Sequence, residues 1–127
     1  MYRYLTYTAF GWFVLSGTAH FSIDVLSHAF QGRHPPGRET TLYYGLHSAF
    51  ALGQVAFGAL ALVVVVRAPH VVGTGFLLVS AGAGIAWFAI AWVFIDYRQP
   101  TIMAGIFCVL VLACWVARPR WSLVQRS

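Results

Sequence analysis

The sequence predicts an all-α integral membrane protein: a four-helix bundle of four transmembrane helices, with both termini on the same side of the membrane. Apolar residues make up 60% of the chain and charged residues only 9%. The apolar residues fall into four long runs separated by short polar segments. Eight basic and three acidic residues are too few to cover this much apolar surface with a charged shell. Lipid is therefore the expected solvent, and the length of 127 residues predicts a single transmembrane domain.

The four runs predict spans at about residues 4–30, 41–66, 71–95 and 101–117. Each is close to the roughly 20 residues that cross a hydrocarbon core. Prolines that end or begin helices separate the runs, at Pro35, Pro36, Pro69 and Pro100. The first run resembles a signal peptide as far as Ala19, but its apolar pattern continues beyond that residue. We therefore expect it to remain as an uncleaved span.

Aromatic residues near the ends of the runs predict two interfacial belts, formed by Tyr2, Tyr4, Tyr43, Tyr44, Trp92, Tyr97, Trp115 and Trp121. With four spans, one side carries Arg3, Arg67, Arg118, Arg120 and Arg126, and the other carries Arg33, Arg38 and Arg98. This excess favours cytoplasmic termini. All eight basic residues are Arg, which is typical of a GC-rich bacterial genome and suggests a bacterial inner membrane.

The positive charge does not indicate a nucleic-acid partner. The Arg residues stand singly or in pairs between apolar runs and form no basic stripe. Charges that flank spans in this way are typical of membrane proteins. The predicted partner is the lipid bilayer, with no nucleic acid.

Small residues predict where the helices meet, because close packing drives helix association in lipid. Gly45, Ala49, Gly53 and Ala56 mark one face of the second span. The third span is small nearly all round at Ser80–Gly84, which places it at the centre of the bundle or at a contact between subunits.

Polar side chains predict a pocket between the first two spans. His20, Asp24 and His28 are spaced i, i+4, i+8, so in a regular helix they form one stripe, together with Ser16 and Ser27. The second span carries Tyr43, His47 and Gln54 on one face. Counted inward from the Gln31–Thr40 loop, His20 lies about 15 Å deep, and Asp24 and His47 about 9 Å.

This register makes His20, Asp24, His47 and His28 the candidate ligand or metal residues, with Ser16, Tyr43, Gln54 and Trp87 as pocket residues. His28 lies closest to the interface, where a solvated role is favoured. Ionisable residues inside a span are costly and suggest a functional site.

Three kinds of chemistry remain open for this pocket. His20 and His47 could bind a metal ion, two His could hold haem axially, or an Asp–His pair could act as acid and base on a lipid-soluble substrate. Against these stands a structural role, in which the polar side chains hydrogen-bond between helices for about 1 kcal/mol each.

The favoured function is a protein of the bacterial inner membrane with a His/Asp pocket in the outer half of the bilayer, which binds or acts on a small ligand, metal or lipid-soluble substrate. Two alternatives are an accessory or structural subunit of a larger membrane complex and a small dimeric transporter; a homo-oligomer is a possible partner arrangement. The chain has no nucleotide-binding loop, no Ser-centred nucleophile motif and no Cys ligand pair, so its residues assign no enzyme class.

Overall fold

The structure, a computed structural model, describes residues Met1 to Arg118. Arg120, Trp121 and Arg126, which enter the predicted belt and charge count, lie outside the described residues. Within Met1–Arg118 the fold is all-helical, and four helices are long and apolar enough to cross a membrane. They are α1 (Tyr2–Phe30), α2 (Arg38–Arg67), α3 (Thr74–Phe94) and α4 (Arg98–Ala117). The predicted spans match these helices to within about three residues at each end.

The first loop begins with a capping motif that follows from its sequence. Gly32 has a φ of 58°, the left-handed conformation that glycine adopts at low cost. Its N–H donates to the Ala29 carbonyl at 3.2 Å, and the N–H of Arg33 donates to the His28 carbonyl at 3.2 Å. This pair of bonds is a Schellman motif, which satisfies the last carbonyls of α1 and folds Arg33 back beside His28.

The two ends of the described chain lie at the same end of the bundle. The Tyr2 hydroxyl donates to the Val72 carbonyl at 2.9 Å, and Arg118 donates to the Thr74 hydroxyl. We call this the terminal end. The opposite end, where the loops after α1 and α3 lie, is the site end.

Helix α1 is the central element of the bundle. It packs against both α2 and α4, while α3 packs closely only against α4. The most apolar window of α1 is 44% buried, compared with 22% for α3. The central helix is therefore α1 and not the third span, while the alternative of a contact between subunits stays a prediction. The small residues of α3 contact α4 on one side only, as Gly84 does, while Gly82 meets no described residue within 4 Å.

Helices α1 and α2 approach each other closely, and two glycines permit this contact. A Cβ atom at Gly17 would lie 2.7 Å from the Ala51 carbonyl oxygen, and one at Gly58 would lie 2.8 Å from a methyl group of Val14. Either contact is too short for any side chain. Small residues at such points let helix backbones approach each other, as the packing rule for lipid expects.

The predicted contact face of α2 is only partly correct. A Cβ atom at Gly45 would have no neighbour within 4 Å among residues 1–118, and Ala49 and Ala56 are exposed. Only Gly53 faces a neighbour, a ring atom of Trp87. The buried residues of α2 are instead His47, Ala51, Gln54, Gly58, Ala61 and Val65. This is the face that carries the polar residues, so α2 meets α1 along its polar stripe.

The half of the bundle near the terminal end is an aromatic core. Phe13 stacks on Phe107 with ring centroids 4.0 Å apart, and Phe10 packs edge-on against Phe107 at 5.9 Å. Two indole N–H groups tie helices together by donating to backbone carbonyls, Trp12 to Met103 at 3.1 Å and Trp87 to Phe50 at 3.3 Å. The aromatic pairs contribute about 0.5–1.5 kcal/mol each beyond the area that they bury.

Replacing Gly17 by Ala should destabilise the protein by about 1 to 3 kcal/mol, because the new methyl group would collide with backbone of α2. Gly11→Ala is the matched control in the same helix, since no described residue lies within 4 Å of its added Cβ. Unfolding of both variants in detergent measures the difference. Equal stability would show that α1 and α2 do not approach this closely.

Two glycines of α3 also differ in whether an added Cβ atom would meet a neighbouring residue. A Cβ at Gly84 would lie 3.0 Å from the Cys108 sulfur and from the Phe107 ring, whereas one at Gly82 would meet no described residue within 4 Å. Gly84→Leu should therefore lower stability by about 1 to 3 kcal/mol through overpacking, and Gly82→Leu should not. The sequence alone predicts that Leu at either position lowers the stability. Equal melting temperatures of the two variants would show that α3 and α4 do not contact each other at Gly84.

Candidate functional site

The candidate site begins with a distortion of α1. Residues Phe21–Ser27 form a π-helical turn inside the helix, with Asp24 at its middle. The sequence predicted a regular α-helix here, and the structure differs. A π turn accommodates one more residue per turn, so residues beyond it are rotated relative to a regular helix. Such turns occur frequently at functional sites.

His20, Asp24 and His47 form one continuous chain of polar contacts. Nδ1 of His20 lies 2.9 Å from Oδ2 of Asp24, and Nε2 of His20 lies 3.1 Å from Nδ1 of His47. The two imidazole rings are nearly parallel, with centroids 5.2 Å apart. All three side chains are buried. The structure thus brings together the three residues that the sequence singled out as one site, and we call them the relay.

The chemistry of the groups restricts where protons can lie in the relay. An ionised Asp24 only accepts, so His20 must donate through Nδ1–H and accept through Nε2. His47 then donates through Nδ1–H, which leaves its Nε2 as a free acceptor. If Asp24 is protonated, every donor and acceptor reverses and Nε2 of His47 carries a proton. The two arrangements differ by one proton and by no movement of heavy atoms.

Aromatic rings enclose the relay. The Tyr43 ring centroid lies 4.1 Å from that of His47, and Phe50 lies 5.3 Å from His20. The Tyr97 ring is nearly parallel to both imidazoles, 6.4 Å from His20 and 6.5 Å from His47. Burial, and after it the nearby Asp24 carboxylate, raises the pKa of Tyr97. Its phenol therefore remains neutral at physiological pH.

A small cavity of about 60 Å³ lies beside the relay, toward α4. Its polar lining comes from Ser16, His20, Asp24, Gln54 and Gln99. A volume of this size holds a water molecule, which such a polar lining would bind. The predicted pocket residues Ser16 and Gln54 therefore lie next to the relay.

A wider cavity of about 540 Å³, which we call the mouth, opens at the site end. It is lined by Ile23, Asp24, His28, Arg33, His34, Tyr43, Tyr97 and Gln99. Nη1 of Arg33 lies 3.2 Å from Nε2 of His28. Because a guanidinium only donates, Nε2 of His28 accepts, and the proton of the neutral ring is on Nδ1. Within Met1–Arg118, this Nδ1 and the Tyr97 hydroxyl are buried atoms without a hydrogen bond of normal geometry.

A third cavity, the lateral groove, lies between α2 and α3 and has a volume of about 420 Å³. It is lined by Tyr43, Leu46, His47, Phe50, Ile90, Phe94 and Ile95. His47 is therefore the point at which the relay reaches an apolar groove. Asp24, at the other end of the relay, lines the mouth.

The arrangement does not favour the metal and haem hypotheses. Among the described residues, no group of three or more His, Cys, Asp or Glu side chains is placed to hold a metal ion. His20 and His47 face each other through nitrogens 3.1 Å apart and share a hydrogen bond. Axial haem ligands instead stand on opposite sides of a porphyrin plane, about 4 Å apart, since each metal–nitrogen bond is about 2 Å. The pair leaves no room for that plane.

Several residues that line the cavities beside the relay were not predicted as pocket residues. Tyr97 was assigned to an interfacial belt, and Arg33 and Gln99 received no role in the site. All three lie in or beside loops at the site end, a position that follows from an antiparallel four-helix arrangement. Trp87, a predicted pocket residue, lines none of the three cavities and instead bridges α3 to the backbone of Phe50.

Comparison of the chain with protein-family models, with curated proteins and with solved structures finds no match.

Proposed function

We propose that this chain is an integral membrane protein in which Asp24, His20 and His47 form an acid–base site that exchanges a proton with a small bound ligand. The observation that carries the proposal is the buried hydrogen-bonded chain of three ionisable side chains, which borders a polar mouth at one end and an apolar groove at the other. A proton donor or acceptor placed in this way needs no movement of the protein to act.

The exposed surface supports the membrane assignment. Large apolar side chains face outward on all four helices, including Leu15, Leu60, Ile85 and Val109. In water such a continuous apolar surface would drive aggregation, whereas lipid solvates it. Asp24 is the one residue among the Asp, Glu and Arg of Met1–Arg118 that lies well inside a helix rather than near an end.

The proposed orientation places the termini in the cytoplasm of a bacterium and the site end on the outer side of the inner membrane. Its support is the excess of Arg residues expected on the side of the termini. The mouth would then receive protons and water from outside, and the relay would lie in the outer half of the bilayer.

The proposed proton path runs through four groups. The ligand hydroxyl gives its proton to Nε2 of His47, and the Nδ1 proton of His47 passes to Nε2 of His20. The Nδ1 proton of His20 then passes to Oδ2 of Asp24. The ligand leaves as the anion or reacts as one, and the reverse order protonates it. Asp24 thus gains a proton and loses its negative charge. This happens at the mouth, which Arg33 and the neutral His28 and Tyr97 also line.

This path predicts where an added proton resides. Acidification of the ¹⁵N-His, ¹³C-Asp protein in lipid nanodiscs should protonate the Asp24 carboxyl and reverse the tautomers of both His, because the proton moves along the relay. In Asp24→Asn the added proton should instead remain on the imidazole pair and produce an imidazolium signal. Nitrogen and carboxyl chemical shifts measure both results. Unchanged His signals in Asp24→Asn would leave only a structural role for the three residues.

Removal of one imidazole supplies a second readout of the same path. His20→Ala should abolish the coupled shift, by which we mean the joint change of the Asp24 carboxyl signal and the His nitrogen signals on acidification. It should also lower the free energy of unfolding by about 1 to 3 kcal/mol, because Asp24 loses its buried partner. His47→Ala should abolish the coupled shift with Asp24 still paired. His70→Ala is the matched control, since His70 is exposed near the terminal end. His34 is unsuitable as a control because it lines the mouth.

The orientation makes a separate prediction. Reporter fusions after Ser127 should be active as cytoplasmic reporters, and insertions within Pro35–Arg38 as external ones, because of the uneven Arg distribution. An external C-terminus would reverse the proposed orientation and place the mouth in the cytoplasm.

A further inference from the structure

We propose that the ligand of the relay is a lipid-soluble molecule with a ring-borne hydroxyl and an apolar tail, of the alkylphenol type, which enters from the bilayer through the lateral groove. This inference rests on the proposed function and names its ligand class. The groove is the only one of the three cavities described above that combines an apolar lining with access to His47.

The groove lies between two helices, α2 and α3, that do not pack closely against each other. Trp87 spans the gap from α3, with its N–H on the Phe50 carbonyl at 3.3 Å and its ring against Gly53. Beyond Trp87 toward the site end, no side chain of the described helices bridges the gap in the same way, and the groove of about 420 Å³ begins. That volume is within the range of pockets that bind small molecules.

The inner end of the groove selects the ligand's head. With Asp24 ionised, Nε2 of His47 is an acceptor, so the head must present a donor such as O–H. Tyr43 and Phe50 supply aromatic surfaces next to His47 and His20, which suit a flat ring. Within residues 1–118 no Arg lines the groove, and Asp24 lies beyond His20, so an anionic head would be repelled rather than bound.

The outer part of the groove selects the tail. Leu46 and Phe94 are 68% and 77% exposed, so they line the groove and also face the surrounding lipid. A hydrocarbon tail can lie between them and remain in the bilayer while the head reaches His47. Such a ligand never has to cross the aqueous phase, and its proton can leave through the relay toward the mouth.

The test compares two probes in nanodiscs, 4-octylphenol and octylbenzene, which differ by one hydroxyl group. Binding is followed by the His47 ¹⁵N shift and by Trp fluorescence at increasing mole fraction of probe in lipid. The phenol should bind at least about tenfold more tightly, since a hydrogen bond to the relay contributes that much. Equal binding of the two probes, or tighter binding of octylammonium, would overturn the hydroxyl assignment.

Two variants test the route. Ile90→Trp and Leu46→Trp fill the groove from opposite helices at exposed positions, and each should weaken phenol binding about tenfold or more. Leu78→Trp is the matched control, exposed on the same helix and about 18 Å from Ile90 along its axis. Unchanged phenol binding in both groove variants would overturn the lateral route but would not contradict the proposed acid–base function of the relay. If acidification did not reverse the His tautomers in the unmodified protein, the proposed function itself would be refuted.

Discussion

The close approach of α1 and α2 is the constraint on which the site depends. Nothing larger than glycine fits at residues 17 and 58, since an added Cβ would lie 2.7 and 2.8 Å from neighbouring atoms. Gly17 is three residues before His20, and its neighbour Ala51 is four residues after His47. The same contact that brings the backbones together therefore sets the two imidazoles at 3.1 Å. A wider spacing would leave both nitrogens without their partner in an apolar medium.

The aromatic core and the candidate site lie in different halves of the bundle along its axis. The terminal half holds an aromatic core built from Phe10, Phe13 and Phe107, whose rings need no polar partner. The other half contains buried ionisable groups, which are costly in an apolar surrounding unless they are paired. A rigid aromatic half can hold the helices in register while the π turn places Asp24 against His20. The cost of the polar groups is confined to one end, where two cavities give access to them.

The sequence predicted the four helices and the proximity of His20, Asp24 and His47, but it did not predict their surroundings. Hydropathy and proline positions predict four helices because lipid allows backbone groups few other ways to be satisfied. Helical spacing relates His20 to Asp24, and loop length relates both to His47. No local pattern in Phe21–Ser27 predicts the π turn. Small-residue content also failed to identify the central helix, because small residues permit a contact without specifying the partner, as Gly82 and Gly84 show.

The position of the relay's ends argues for proton transfer over purely structural hydrogen bonding. A structural role requires only that each buried group be paired, and it is best served when the chain is closed at both ends. Here Asp24 lines the mouth with Arg33 and Tyr97, and His47 borders the apolar groove. The relay can change between two arrangements of its protons, one with Asp24 ionised and one with Asp24 protonated, without movement of heavy atoms. This change moves a proton between the two ends. The proposed acid–base chemistry on a membrane-dissolved molecule requires a chain of this form, which joins a polar cavity to an apolar groove.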